Sequence, residues 1–173
     1  MRAERRKFQH PPASILARPD RRTVPEPKRR RRSMAEHGKT RETPAPADRV
    51  WQIWSDTSTW GRWNPNVTTM DMAPPVALGK TGVMNTPAGQ HHQMKVIDFQ
   101  PGRSFTLETS VIPLSRFQFT CSVEPAGEKT RIKQTVKVVG PMGWLFDPMM
   151  GDQIANDFDK VLDGLAKEAE GTA

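Results

Sequence analysis

Phe117-Gln118-Phe119-Thr120-Cys121-Ser122-Val123-Glu124 is the stretch on which the fold turns. Its apolar residues recur at every second position, with Gln118, Thr120, Ser122 and Glu124 between them. A β-strand sends alternate side chains to opposite faces, so this stretch is a strand with one buried and one wet face. The following segment repeats the pattern: Ile132, Gln134, Val136 and Val138 share a face, and Arg131, Lys133 and Lys137 point outward. Upstream, Phe105, Leu107, Thr109 and Val111 share a face in the same way. Turn signals separate these runs. Pro101-Gly102 supplies the fixed φ and the positive φ of a type II turn. Thr86-Pro87-Ala88-Gly89 and Pro125-Ala126-Gly127-Glu128 read as hairpin loops.

Outward from this sheet the period changes. Past Pro148, the residues Ile154, Phe158, Val161, Leu162 and Leu165 fall on one helical stripe, with Gln153, Asn156, Lys160, Asp163 and Lys167 on the wet side. The spacing predicts a C-terminal helix of about 18 residues with Asp152 as N-cap. Toward the N-terminus, Val50, Ile53 and Trp54 form one buried face of a short helix opened by Pro46 and Asp48. Asp56 or Thr57 caps a second short helix through Trp60-Gly61-Arg62-Trp63, closed by Pro65, and His37–Thr43 suits a first strand. The fold class is therefore α+β. A curved antiparallel sheet with one apolar face needs cover, and the last helix is the element long enough to supply it.

Three stretches carry a family resemblance. They are Ala45-Pro46-Ala47-Asp48-Arg49-Val50-Trp51 running into Ser55-Asp56, then Trp60-Gly61-Arg62-Trp63-Asn64-Pro65, then Val96-Ile97-Asp98-Phe99-Gln100-Pro101-Gly102-Arg103. With the strands and closing helix that follow, the chain resembles the START/Bet v1-like superfamily (SRPBCC, or polyketide cyclase/dehydrase-like) over about residues 36–170. The resemblance implies a helix-grip fold: seven antiparallel strands wrapped round the long C-terminal helix, two short helices after the first strand, and an apolar cavity between sheet and helix. Members of the superfamily bind lipids, sterols, quinones, polyketides and plant hormones; some are cyclases or aromatases, and some relatives stimulate the Hsp90 chaperone. Function must therefore be argued from the site.

Charge divides the chain into two parts. Residues 1–33 hold twelve Lys/Arg and three acids, whereas the remaining residues hold fourteen basic and sixteen acidic side chains. The pI of about 10.0 thus belongs to an N-terminal arm, residues 1–34, ahead of a ligand-binding domain over residues 35–173. Such an arm cannot bury enough apolar surface to offset its ordering entropy, and disorder is expected there. It reads as sequence upstream of a start at Met34, as a solvated tail, or as a hook for acidic partners through Lys28-Arg29-Arg30-Arg31-Arg32. The folded part carries no basic footprint for nucleic acid. Arg5-Arg6-Lys7-Phe8 lacks the apolar run that an export signal needs. No run of about 18 apolar residues suggests a transmembrane helix. A single cysteine, Cys121, excludes an intrachain disulfide and suits a reducing, cytoplasmic location.

The candidate chemistry is sparse. Trp60 and Trp63 read as wedges pinning the short helices to the sheet, with stacking on a flat ligand as the alternative. His91-His92 lacks the ligand cluster a metal needs, so no metal and no cofactor are expected. His92 shares parity with Met94 and is the candidate acid/base if the domain is an enzyme, which would then be a cyclase- or dehydratase-type lyase. Gln134 puts an amide on an apolar face; another side chain such as Thr109, a water or a ligand must satisfy it. Met84, Met94, Met142, Met149 and Met150 give the cavity region adaptable thioethers. Gly140-Pro141-Met142-Gly143-Trp144-Leu145-Phe146-Asp147-Pro148 reads either as a lid hinged at Gly140 and Gly143 with Trp144 as plug, or as a permanently packed strap. Cys121 lies mid-strand among core residues and is no nucleophile, and Asp98 is solvated beside its turn. The expected partner is a small hydrophobic ligand, a lipid, polyketide or isoprenoid-like molecule, held by a carrier or sensor. Its pocket would be lined by Met84, His92, Met94, Phe105, Leu107, Phe117, Phe119, Gln134, Trp144, Ile154 and Phe158. A chaperone-stimulating interaction module is the further alternative.

Overall fold

Seven strands form one sheet in the computed structural model, which describes residues 36–141 and 143–172 and gives 144–149 as backbone. They are β1 (His37–Thr43), β2 (Thr69–Asp71), β3 (Thr81–Asn85), β4 (His91–Gln100), β5 (Ser104–Thr109), β6 (Arg116–Ala126) and β7 (Lys129–Val139). Their order is β1-β7-β6-β5-β4-β3-β2, and each neighbouring pair is antiparallel. The basic arm expected over residues 1–34 lies outside the described residues.

Hairpin chemistry sets the meander. Gly102 and Gly127 take φ of 73° and 67°, which glycine reaches without a Cβ penalty. Pro125 and Ala126, read from sequence as loop, instead pair with Thr130 and Lys129, so only Gly127 and Glu128 connect β6 to β7. Val111 departs from its expected strand. β5 stops at Thr109, and Val111 is 49% exposed in the loop beyond it. A β-bulge between Val96 and Asp98 inserts Ile97 and switches the parity of β4, so that Phe99 opposes Phe105.

The two short helices follow β1 as the resemblance implies. Helix α1 (Ala47–Ser55) buries Val50, Ile53 and Trp54. A 3₁₀ turn over Thr57–Thr59 is capped by Asp56, whose carboxylate accepts from the Ser58 amide at 3.1 Å, and it leads into α2 (Trp60–Trp63).

The closing helix is longer than the apolar stripe predicts. It comprises α3 (Gly143–Asn156) and α4 (Phe158–Glu170), bent at Asp157. There the Asp157 amide donates to Ile154 O at 3.2 Å, a three-residue closure, and the Val161 amide reaches Asp157 O only at 3.4 Å. Asp152 is therefore not an N-cap. It lies within α3, and its carboxylate meets His37 Nδ1 at 2.7 Å. Pro148 removes one helical hydrogen bond but does not end the helix, because α3 is packed on β7 and β1. Gly151 lets it approach: a Cβ there would overlap the His37 ring. The segment from Gly143 onward is thus helix and not a free loop.

Candidate functional site

Sheet and closing helix do not meet everywhere. Between them lies a cavity of about 300 Å³. Its sheet wall is built by inward-facing side chains on five adjacent strands: Met84 on β3, His92 and Met94 on β4, Leu107 on β5, Phe119 and Cys121 on β6, and Gln134 on β7. The opposite wall comes from Ile154, Asp157, Phe158 and Val161 around the bend between α3 and α4. Trp54, Trp60 and Val67 complete the apolar lining, and the partly or fully exposed polar residues Asn64, Asn66, Thr86 and Gln90 border it where it meets solvent.

The expected lining residues part company here. Met84, His92, Met94, Leu107, Phe119, Gln134, Ile154 and Phe158 come together on this cavity. Phe105 does not reach it. That ring is fully buried beneath Trp51, Trp54 and Trp60, with centroids 6.0, 6.0 and 6.4 Å away, and serves as the hub of the main core. Phe117 is also absent from the wall: it packs with Val136, Val138, Ala155 and Phe158 in a second core cluster. The Trp144 side chain lies outside the described residues. Sequence reasoning missed Trp54, Cys121 and Val161 as lining, although parity and helical spacing had placed all three on the inner face.

The tryptophans are structural first. Trp60 is 4% exposed, and its Nε1 donates to Trp54 O at 3.0 Å; Trp63 Nε1 donates to Thr59 Oγ1 at 3.1 Å. Trp60 nevertheless offers one side to the cavity.

Polar groups on the wall are few. His92 is half-buried and stands opposite Met84 in the β3–β4 register. Its neighbour His91 is exposed, with Nδ1 2.5 Å from Asn85 Oδ1. Burial pushes the Cys121 thiol far above its ordinary range, which removes it as a nucleophile. Asp157 is mostly exposed and faces Lys160 at 3.6 Å. Gln134 Oε1 is enclosed and makes no hydrogen bond among the described residues. Thr109 cannot satisfy it: Thr109 shares a rung with Phe117 and Val138, whereas Gln134 shares one with Cys121 and Phe105. Asp98 is exposed. Among the described residues no group of three or more His, Cys, Asp or Glu is placed to hold a metal ion, and no helix is long and apolar enough to cross a membrane.

A wider groove of about 650 Å³ runs along Ser110–Arg116 beside Gly140 and Pro141. It is a surface depression rather than an enclosure, since Val111 and Leu114 on its wall are 49% and 67% exposed. The smaller cavity, walled by both layers, is the better candidate site.

Comparison with known proteins agrees with this architecture. A family model described as polyketide cyclase / dehydrase and lipid transport matches residues 34–170. Norcoclaurine synthase from Thalictrum flavum, solved with dopamine and hydroxybenzaldehyde, is similar at a TM-score of 0.62 and 15% identity, covering 81% of this chain and 88% of that one. A hypothetical protein of Helicobacter pylori is similar at 0.64 and 14% identity, covering 93% and 99%. A Mesorhizobium loti protein is similar at 0.64 and 14% identity, covering 80% and 99%. At such identities these structures show the helix-grip fold alone. No curated protein matches the chain in sequence.

Proposed function

The chain belongs to the polyketide cyclase/dehydrase and lipid transport family, and from that premise we propose that it binds a small, mainly apolar molecule in the cavity between sheet and closing helix, as a carrier or sensor. The observation that supports this reading is the cavity wall itself: Met84, Met94, Leu107, Phe119, Ile154 and Phe158 converge from four strands and the helix bend around about 300 Å³. Burial of apolar ligand surface supplies roughly 25 cal/mol per Å², so such a wall binds without a strong polar contact. Open volume at the centre also favours this reading over one confined to the outer surface.

The test uses an environment-sensitive apolar dye, titrated into the purified full chain, with organic extraction and mass spectrometry of the same preparation. Saturable binding of one dye per chain, lost in Phe119→Arg while circular dichroism is unchanged, is the expected result. Equal dye binding by a folded Phe119→Arg variant would sink this site.

A second reading is catalytic. His92 brings an imidazole to the same wall, where it is able to exchange a proton with a bound carbonyl compound in a cyclase- or dehydratase-type reaction. His92→Ala that keeps ligand affinity and loses turnover would establish it; full turnover in that variant would remove it.

A further inference from the structure

Three enclosed side-chain oxygens lack a hydrogen-bond partner among the described residues: Thr109 Oγ1, Ser115 Oγ and Gln134 Oε1. Of these, only Gln134 lines the cavity. It sits on the same rung as Cys121 and is flanked along β7 by Ile132 and Val136, both fully buried. Nothing apolar about its surroundings explains an amide there, and a leucine of similar size would pack with less penalty.

We infer that Gln134 is the polar anchor of the cavity and selects an apolar ligand carrying a hydroxyl group, which is buried against the amide. The inference rests on the ligand-binding reading given above and adds the ligand's chemistry. An amide presents one acceptor oxygen and one donor NH₂. A hydroxyl both donates and accepts, so it satisfies the amide in either rotation, whereas an ether or ketone oxygen can only accept. The volume of about 300 Å³ lies at the small end of ligand pockets and fits a molecule of one or two rings. Trp60, Phe119 and Phe158 border that space from different sides, which suits a flat body. Asn66 and Gln90 on the lining are exposed and mark where the cavity meets solvent, whereas Gln134 Oε1 is enclosed, so the hydroxyl reads the inner wall.

A site built to hydrogen-bond a substrate hydroxyl rejects the analogue that lacks it, because its own polar group is then left unpaired. The probes are 2-naphthol and its near-isostere 2-methylnaphthalene, titrated into the full chain and into Gln134→Leu by calorimetry or fluorescence. The wild type is expected to favour 2-naphthol by at least tenfold. Gln134→Leu should lose that preference or reverse it, and its melting temperature without ligand should equal or exceed that of the wild type. Equal affinities for the two probes in the wild type, or an undiminished preference in Gln134→Leu, would overturn the anchor while leaving cavity binding intact. A ligand-free melting temperature clearly lowered by Gln134→Leu would also overturn it, since the amide would then be held by the protein. Binding of neither probe to the wild type would overturn the cavity reading, and the anchor with it.

Discussion

Gly164 of α4 lies directly against the backbone carbonyl of Trp63, so closely that a Cβ at 164 would overlap that oxygen. This contact sets how near the closing helix comes to α2, and hence how the grip closes around the cavity. Gly164→Ala gains about 1 kcal/mol of helix propensity, but the obstacle is backbone and cannot swing aside. Overpacking of this kind typically costs about 1–3 kcal/mol, so a net loss of stability is expected. At roughly 2–4 °C per kcal/mol for a chain of this size, thermal unfolding would resolve it. A melting temperature at or above that of the wild type would show that α4 shifts freely on α2.

Thr43 ties the C-terminal end of that helix to the first strand. Its hydroxyl is fully buried, donates to Glu170 Oε1 at 2.7 Å and accepts from the Ala45 amide at 3.2 Å. Thr43→Val keeps the shape and strands a buried amide, which costs about 1–3 kcal/mol. Thr40→Val, on the exposed side of the same strand, should stay within about 0.5 kcal/mol of the wild type. Denaturant midpoints for the pair test the difference; equal midpoints would contradict the buried network.

Much of this architecture was legible in the sequence, for a physical reason. Alternation along β5, β6 and β7 and the stripe from Ile154 to Leu165 report which side chains leave water, and that demand dictates sheet and helix. The first half of the closing helix was not legible. Gly143, Pro148 and Gly151 argue locally against a helix, and what holds α3 is packing on β7 and β1, which no window of sequence reveals. The site was half legible. Parity turns both Phe105 and Phe119 inward, yet it cannot tell whether an inward ring meets tryptophans or open volume. Gln134 stood out because its chemistry contradicts its face, and that contradiction survives in three dimensions.

Cys121 supplies a pH-dependent prediction. Burial raises its thiol above the ordinary value, by desolvation alone. A group whose folded pKa is raised contributes stability that is fully present below the unfolded pKa and is lost as pH rises beyond it. The wild type should therefore lose stability between about pH 8.5 and 10.5 relative to Cys121→Ser, the unfolded thiol having a pKa of about 8.5. Alkylation of the native protein at pH 8 should be far slower than that of the unfolded chain. Rapid native alkylation would mean that the cavity admits solvent and reagent to the thiol.

Phe105 and Phe119 give the sharpest separation of core from cavity. Both are inward residues on neighbouring strands, and Phe119 opposes Leu107 in the register that sets Phe105 against Cys121. Phe105 is fully buried under three tryptophans, so Phe105→Ala opens a void among rigid rings and should cost about 3–5 kcal/mol. Phe119 is only partly buried and meets Phe158 edge-on at 6.3 Å, with the rest of its ring facing the cavity. Because that side already lacks packing partners, Phe119→Ala should cost only about 1–2 kcal/mol. The binding order should be the opposite: dye affinity changes more with Phe119→Ala than with Phe105→Ala under conditions where both are folded. Unfolding midpoints and dye titrations on the two variants measure both orders. A larger stability loss at Phe119 than at Phe105 would mean that the space beside Phe119 is closed in solution, and the site would have to be sought elsewhere on the fold.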